Sequence, residues 1–206
     1  MINVVVVEDN NTIREGLKIL IDAADGFSCK GVYSECESMI SEIINLKPDV
    51  LLIDLILPGI SGIEGIKLVK SLLPELSIVV LTVYSENDYI FDALCAGASG
   101  YITKNTPQSK LLYAIQEVYE GGTPMSSNIA RKVISLFQQK GITNNGSGDK
   151  IVNLNQREKE ILNKLVEGNS VKAIADSLLI NVDTLRLDFK NIYHKLHIYS
   201  KAENTL

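Results

Sequence analysis

Up to about Gly122 the chain alternates between two hydrophobic rhythms. Short apolar, β-branched runs occur in "INVVVVE", "CKGVYS", "DVLLIDLIL", "SIVVLTV" and "GYIT". Between and after them, Ile13 to Ile21, Met39 to Asn45, Ile63 to Leu73, Tyr89 to Ala96 and Lys110 to Tyr119 carry apolar residues at helical spacing. The pattern predicts a strand followed by a helix, five times over. Runs such as Val4 to Val7 and Val50 to Ile53 leave no polar face, so each strand is covered on both sides. That describes a doubly wound α/β domain with a five-stranded parallel sheet. After Gly121 and Gly122 the rhythm changes. Ser126 or Ser127 can cap a helix whose apolar face holds Ile129, Val133, Ile134 and Phe137. "GITNNGSGDK" follows as a flexible linker. From Leu154 onward the pattern is helical throughout: Arg157 to Glu167, Val171 to Leu179, a turn at "INVD", and Thr184 to Leu196, with Asp183 or Thr184 as cap. A short helix, a tight turn and a longer helix bearing Arg186 and Lys190 point to helix-turn-helix DNA binding. The expected division is a domain over 1–122, a linker helix and flexible linker over 123–150, and an all-α domain over 151–206.

Length and composition support two domains. The chain has 206 residues, 46% of them hydrophobic, where one domain takes about 100 to 150 residues. No apolar run approaches the ~20 residues of a membrane span, and the N-terminus lacks a basic region followed by an apolar stretch and a cleavage site. A protein of the cytoplasm, with no membrane partner, is expected. Cys29, Cys36 and Cys95 form no metal or redox spacing and read as buried thiols. The net charge of -5 hides an asymmetry. Residues 1–122 carry 8 basic and 17 acidic side chains, and residues 123–206 carry 12 and 8. Nucleic acid is thereby disfavoured as a partner of the first part and permitted for the second.

The chemistry gathers at the strand ends. Four valines run straight into two adjacent carboxylates, Glu8 and Asp9. In doubly wound sheets ligands bind beyond the carboxyl ends of the strands, near the topological switch point. The third strand ends at Asp54, the fourth at Thr82, and the fifth leads through Tyr101 to Lys104. Three acids together need a cation, and an all-oxygen set without His or Cys suits Mg²⁺. Lys104 and Thr82 then call for an anion. Taken singly, each residue has a plainer reading: a strand-end Asp often serves a turn or a cap, Thr82 can satisfy backbone groups, and a tyrosine such as Tyr101 is commonly core. Jointly they describe an acidic pocket that takes a cation and an anion. A dinucleotide enzyme on the same fold is excluded because "EDNNTIREG" follows the first strand where a glycine-rich G-x-G-x-x-G turn would be required.

"VVEDN", "LLIDLILPGISG", "VVLT" and "GASGYITK" together resemble the receiver domain of bacterial two-component response regulators, over about residues 1–122. The resemblance implies a flavodoxin-like fold in which Asp54 accepts a phosphoryl group from a sensor histidine kinase. It implies that Asp9, Asp54 and the Ile56 carbonyl bind Mg²⁺, with Glu8 assisting through water, and that Lys104 and the Thr82 hydroxyl hold phosphoryl oxygens. Tyr101 resembles the aromatic switch that turns inward when Thr82 moves.

"LNQREKEILNKLVEGNSVKAIADSLLINVDTLRLDFKNIYHKL" is similar to the LuxR-type DNA-binding domain, and the whole to the NarL/FixJ group. That likeness implies double-stranded promoter DNA as partner, a homodimer on phosphorylation, and a regulator rather than an enzyme. It puts Arg186, Leu187 and Lys190 at the bases and Lys172, Thr184 and Lys195 at phosphates. Asp188 departs from the family, standing where His is usual, and a carboxylate is unfavourable near phosphate. Residues 150–206 hold 9 basic and 7 acidic side chains, weak for a DNA reader. Two functions remain in view: a phosphorylation-controlled transcription factor, and a phosphorylation-switched protein-interaction regulator with weak or no DNA binding.

Overall fold

The computed structural model describes residues 1–84, 87–125, 155–166 and 171–181, with positions 129, 132, 184–185, 187–188 and 191–192. The chain divides into two compact units, Met1–Ser126 and Ser127–Leu206.

In the first unit β1 (Ile2–Val7), β2 (Phe27–Tyr33), β3 (Val50–Ile53), β4 (Ser77–Thr82) and β5 (Gly100–Thr103) form one sheet in the order β2-β1-β3-β4-β5. All neighbours are parallel. The helices α1 (Asn11–Asp22), α2 (Cys36–Leu46), α3 (Gly62–Leu72), α4 (Asn87–Ala96) and α5 (Gln108–Tyr119) make the crossovers and follow the last strand. The doubly wound, flavodoxin-like architecture read from the sequence is the observed one. Successive strand residues point to opposite faces. On one face Val4, Val6, Val50, Leu52, Val79, Leu81 and Ile102 pack with Leu17 and Ile21 of α1 and Leu111, Ile115 and Val118 of α5. The alternate residues Val5, Val7, Leu51 and Ile53 are buried as well, which is why these strands show no polar face.

Strand order places the site. β1 lies between β2 and β3, so the crossovers leaving it and arriving beside it diverge, opening a crevice at the strand ends. Val7 pairs with Ile53, and the next residues, Glu8 and Asp54, therefore emerge side by side. Asn10 caps α1, its Oδ1 accepting from Thr12 N at 3.0 Å and Ile13 N at 3.2 Å, which fixes the exit from β1. Ser61 caps α3 by accepting from Glu64 N at 3.3 Å. Beyond α5 the chain returns along β5, where Tyr101 N donates to Pro124 O at 2.9 Å and Tyr101 bridges Met125. The helix expected from Ser126 and the linker through Lys150 lie outside the described residues, apart from helical positions 129 and 132.

In the second unit a helix spans Gln156–Val166. Its start is a reciprocal cap: Asn155 Oδ1 accepts from Glu158 N at 2.8 Å, and Glu158 Oε2 accepts from Asn155 N at 2.7 Å. A second helix spans Val171–Ser177, and 184, 185, 187, 188, 191 and 192 are helical. Ile161, Ile174, Ala175, Leu185 and Ile192 are buried. After the helix Val171–Ser177 the chain is held at Asn181. Asn181 Oδ1 accepts from Thr184 N at 2.7 Å, and Leu185 N donates to Asn181 O at 3.1 Å. Asn181 thus holds the amide of Thr184, one of the two residues expected to cap here; the other, Asp183, lies outside the described residues.

Cys36 is buried, whereas Cys29 is only half-buried. The difference follows from β2 being a sheet edge, where every residue keeps some exposure. The side chain of Cys95 lies outside the described residues.

Candidate functional site: an acidic pocket at the strand ends

Glu8, Asp9 and Asp54 each bring a carboxylate oxygen within 4.8 Å of the others. Glu8 and Asp54 are buried while Asp9 is exposed, so the cluster opens to solvent on the Asp9 side. Lys104, at the end of β5, closes it from within: its Nζ lies 2.6 Å from Glu8 Oε2 and 2.6 Å from Asp54 Oδ2. The other Asp54 oxygen accepts from Leu55 N at 2.6 Å. The other Glu8 oxygen accepts from Asn10 N at 3.2 Å. Arg14 stays on the outside, donating to the carbonyls of Glu8 at 2.7 Å and Asp9 at 3.0 Å.

The charges are unequal partners. Burial pushes the Glu8 carboxyl above its ordinary value, against the pull of Lys104. Burial pulls the Lys104 ammonium down, but its bonds to Asp54 and Glu8 outweigh that and hold it above its ordinary value. One lysine set against three carboxylates leaves the pocket electronegative. The donor set is all oxygen and near the spacing of a single hard cation, so these residues fit Mg²⁺.

Thr82 is fully buried at the end of β4. Its Oγ1 accepts from Tyr84 N at 3.4 Å. Tyr101 is fully buried too, turned inward, and its hydroxyl donates to Tyr84 O at 3.0 Å. The Tyr84 ring in turn lies against Tyr89 near the start of α4, with centroids 5.2 Å apart. Tyr84 went unnoticed in the sequence because it works through backbone atoms that every residue has. Ile56 sits in the β3–α3 loop with its side chain exposed.

Glycines secure the approach to Asp54. At Gly62 a side chain would collide with the Asp54 carbonyl, and Gly62 N donates to Leu55 O at 2.9 Å. The first turn of α3 can therefore sit directly against the Asp54–Leu55 peptide.

The match to the response regulator receiver domain extends over residues 4–116, and residues 152–206 match the luxR family of bacterial regulatory proteins. The chain belongs to the response regulators. Among its relatives, the oxygen regulatory protein NreC of Staphylococcus carnosus is 30% identical over 202 residues, covering 97% of this chain and 93% of that one. NreC of Staphylococcus epidermidis is 29% identical over 203 residues with the same coverage. Among solved structures, the RcsB response regulator of Salmonella typhimurium, studied for its conformational dynamism for DNA interaction, is 25% identical, with a TM-score of 0.61 over 95% of this chain and 92% of that one. A LuxR-family two-component response regulator from Aurantimonas has a TM-score of 0.62 at 28% identity, over 65% of this chain and 95% of its own. A receiver joined to a LuxR-type domain couples phosphorylation to DNA-binding regulation. Among the described residues of this regulator no helix is long and apolar enough to cross a membrane.

The helix-turn-helix residues are reached only in part. Thr184 is half-buried, with its amide bound to Asn181, and Leu187 is exposed. Lys172 lies on the helix Val171–Ser177, its side chain outside the described residues, as are Arg186, Lys190 and Lys195. Asp188 has a partner that sequence spacing did not indicate. Its Oδ2 lies 2.6 Å from the Arg157 guanidinium, on the helix Gln156–Val166.

Proposed function

We propose that Asp54 accepts a phosphoryl group from a sensor histidine kinase and that the resulting acyl phosphate changes how the regulator dimerises and binds promoter DNA. The observation that carries this reading is Lys104 held 2.6 Å from both Asp54 and Glu8. An ammonium placed there neutralises the acceptor before transfer and lies where phosphoryl oxygens arrive, which is the electrostatic work that phosphoryl transfer mainly needs. Asp9, Asp54 and the Ile56 carbonyl would hold Mg²⁺, with Glu8 behind a water. When bound, the metal supplies the positive charge that lets an anionic donor approach three carboxylates. In transfer, the bond from phosphorus to the donor nitrogen breaks and a bond to an Asp54 oxygen forms.

Thr82 carries the event onward. Its hydroxyl, drawn toward a phosphoryl oxygen, leaves the Tyr84 amide, and the inward Tyr101 keeps the Tyr84 carbonyl. The segment that carries Tyr84 into α4 is thereby biased between two arrangements, the differential contact a switch requires.

In the second unit Arg186, Leu187 and Lys190 are assigned to bases, and Lys172, Thr184 and Lys195 to phosphates. Asp188 had kept the protein-interaction reading alive as a carboxylate facing phosphate. Its pairing with Arg157 offsets that charge, so the carboxylate no longer argues against the DNA-binding reading. The test is selection of genomic fragments by the full chain with and without beryllofluoride, a phosphoryl mimic. A common sequence enriched more strongly with the mimic is expected. Equal, sequence-independent recovery in both arms would favour the protein-interaction regulator.

A further inference from the structure

The β3–α3 loop, from Leu55 to Ser61, carries the Ile56 carbonyl, and the Ile56 side chain is exposed. The loop is secured at its ends. Gly62 N donates to Leu55 O at one, and Ser61 caps α3 at the other. Between them a third attachment comes from a different element. Glu37, in the first turn of α2, accepts from Ile60 N through Oε1 at 2.9 Å, across 23 residues of sequence. The loop is shaped to receive it. Gly59 has φ +70°, a backbone form that favours glycine, and a side chain there would collide with the Glu37 carboxylate. The neighbouring Cys36 thiol lies 3.9 Å from Ser61 O, with Gly65 leaving room for it. The start of α2 is thus a wall against which the loop rests, and Glu37 is its polar contact.

We propose that Glu37 is a positioning residue for the phosphoryl pocket, setting through Ile60 the place of the Ile56 carbonyl and hence the pocket's affinity for a divalent cation. The inference rests on the reading above that Ile56 serves the metal. Glu37 touches neither metal nor phosphoryl group. It acts as groups behind metal ligands do, by fixing the ligand's orientation.

The test is calorimetric titration of the full chain with Mg²⁺, comparing Glu37→Ala, Glu37→Asp and Glu37→Gln with the parent and with Asp9→Asn. Glutamine retains the accepting oxygen at the same reach, whereas aspartate keeps the charge at the α2 N-terminus but falls short of Ile60. Glu37→Ala and Glu37→Asp are expected to weaken Mg²⁺ by about tenfold, the lower end for loss of an orienting group, with Glu37→Gln near the parent and melting temperatures alike. Parent-like affinity in Glu37→Ala, while Asp9→Asn loses Mg²⁺, would overturn the role of Glu37 and leave the pocket standing. So would losses that follow melting temperature across the three variants. Unchanged affinity in Asp9→Asn would overturn the pocket itself.

Discussion

Tyr101 and Tyr84 are joined by a partly buried hydrogen bond, hydroxyl to carbonyl at 3.0 Å, while the amide of the same Tyr84 serves Thr82. Both side chains thus converge on one peptide segment. Tyr101→Phe leaves the ring in place and removes the bond, so a stability loss of about 1 kcal/mol is expected. Its more telling effect is on coupling. Beryllofluoride should shift the parent toward dimer in sedimentation and shift Tyr101→Phe less; an unchanged mass in the parent would contradict this route.

Glu8 makes stability depend on pH and on metal. Its folded-state pKa is raised, so its contribution to stability is present below the unfolded value, about pH 4, and is lost as pH rises through the folded value. At neutral pH the ionised Glu8 therefore opposes folding of the metal-free receiver. Glu8→Gln should raise the neutral melting temperature in chelator, and flatten its fall with pH, yet weaken Mg²⁺ by about 10 to 100-fold. A lower melting temperature for Glu8→Gln at neutral pH would argue against this balance.

Much of this was legible in the sequence. Unbroken apolar runs such as Val4 to Val7 announced strands buried on both faces, and the polar residue ending each run marked the crevice. Its position just beyond the fifth apolar run put Lys104 among the acids. Illegible were contacts set by where the chain turns or by backbone atoms. The Thr82–Tyr84–Tyr101 link uses a peptide group, Glu37 meets Ile60 through an N–H, and Arg157 meets Asp188 across 31 residues. The edge position of β2, which leaves Cys29 half-buried, follows from strand order rather than composition. One missed feature did have a signal: "NQRE" at 155–158 pairs a capping residue with a glutamate three positions on.

The ion pair of Arg157 and Asp188 predicts how DNA affinity responds to salt. At 45% and 20% side-chain exposure it adds little stability, but it occupies a guanidinium that can otherwise meet phosphate. Asp188→Asn should strengthen non-specific binding and steepen the salt dependence by roughly one phosphate contact. In the Arg157→Gln/Asp188→Asn double variant that gain should vanish. A gain that persists there would mean Asp188 repels DNA directly.

Leu179, two residues past the helix Val171–Ser177, is left-handed, φ 54°, and 93% exposed. A left-handed leucine is strained, by roughly 1 to 2 kcal/mol, and exposure offers little packing in return. Leu179→Gly should stabilise the second unit by up to about 1 kcal/mol after glycine's added unfolded-state entropy. Thermal unfolding of the full chain reads this directly, and a lower melting temperature would show that the leucine contributes a contact.

The central assignment is that Asp54 is the phosphoryl acceptor. It is tested most directly by incubating the full chain with Mg²⁺ and acetyl phosphate, trapping the acyl phosphate reductively and mapping it by mass spectrometry. One adduct at Asp54, absent without Mg²⁺ and absent in Asp54→Ala, is the predicted result; label that persists in Asp54→Ala, or that maps to Glu8 or Asp9 in the parent, would contradict it.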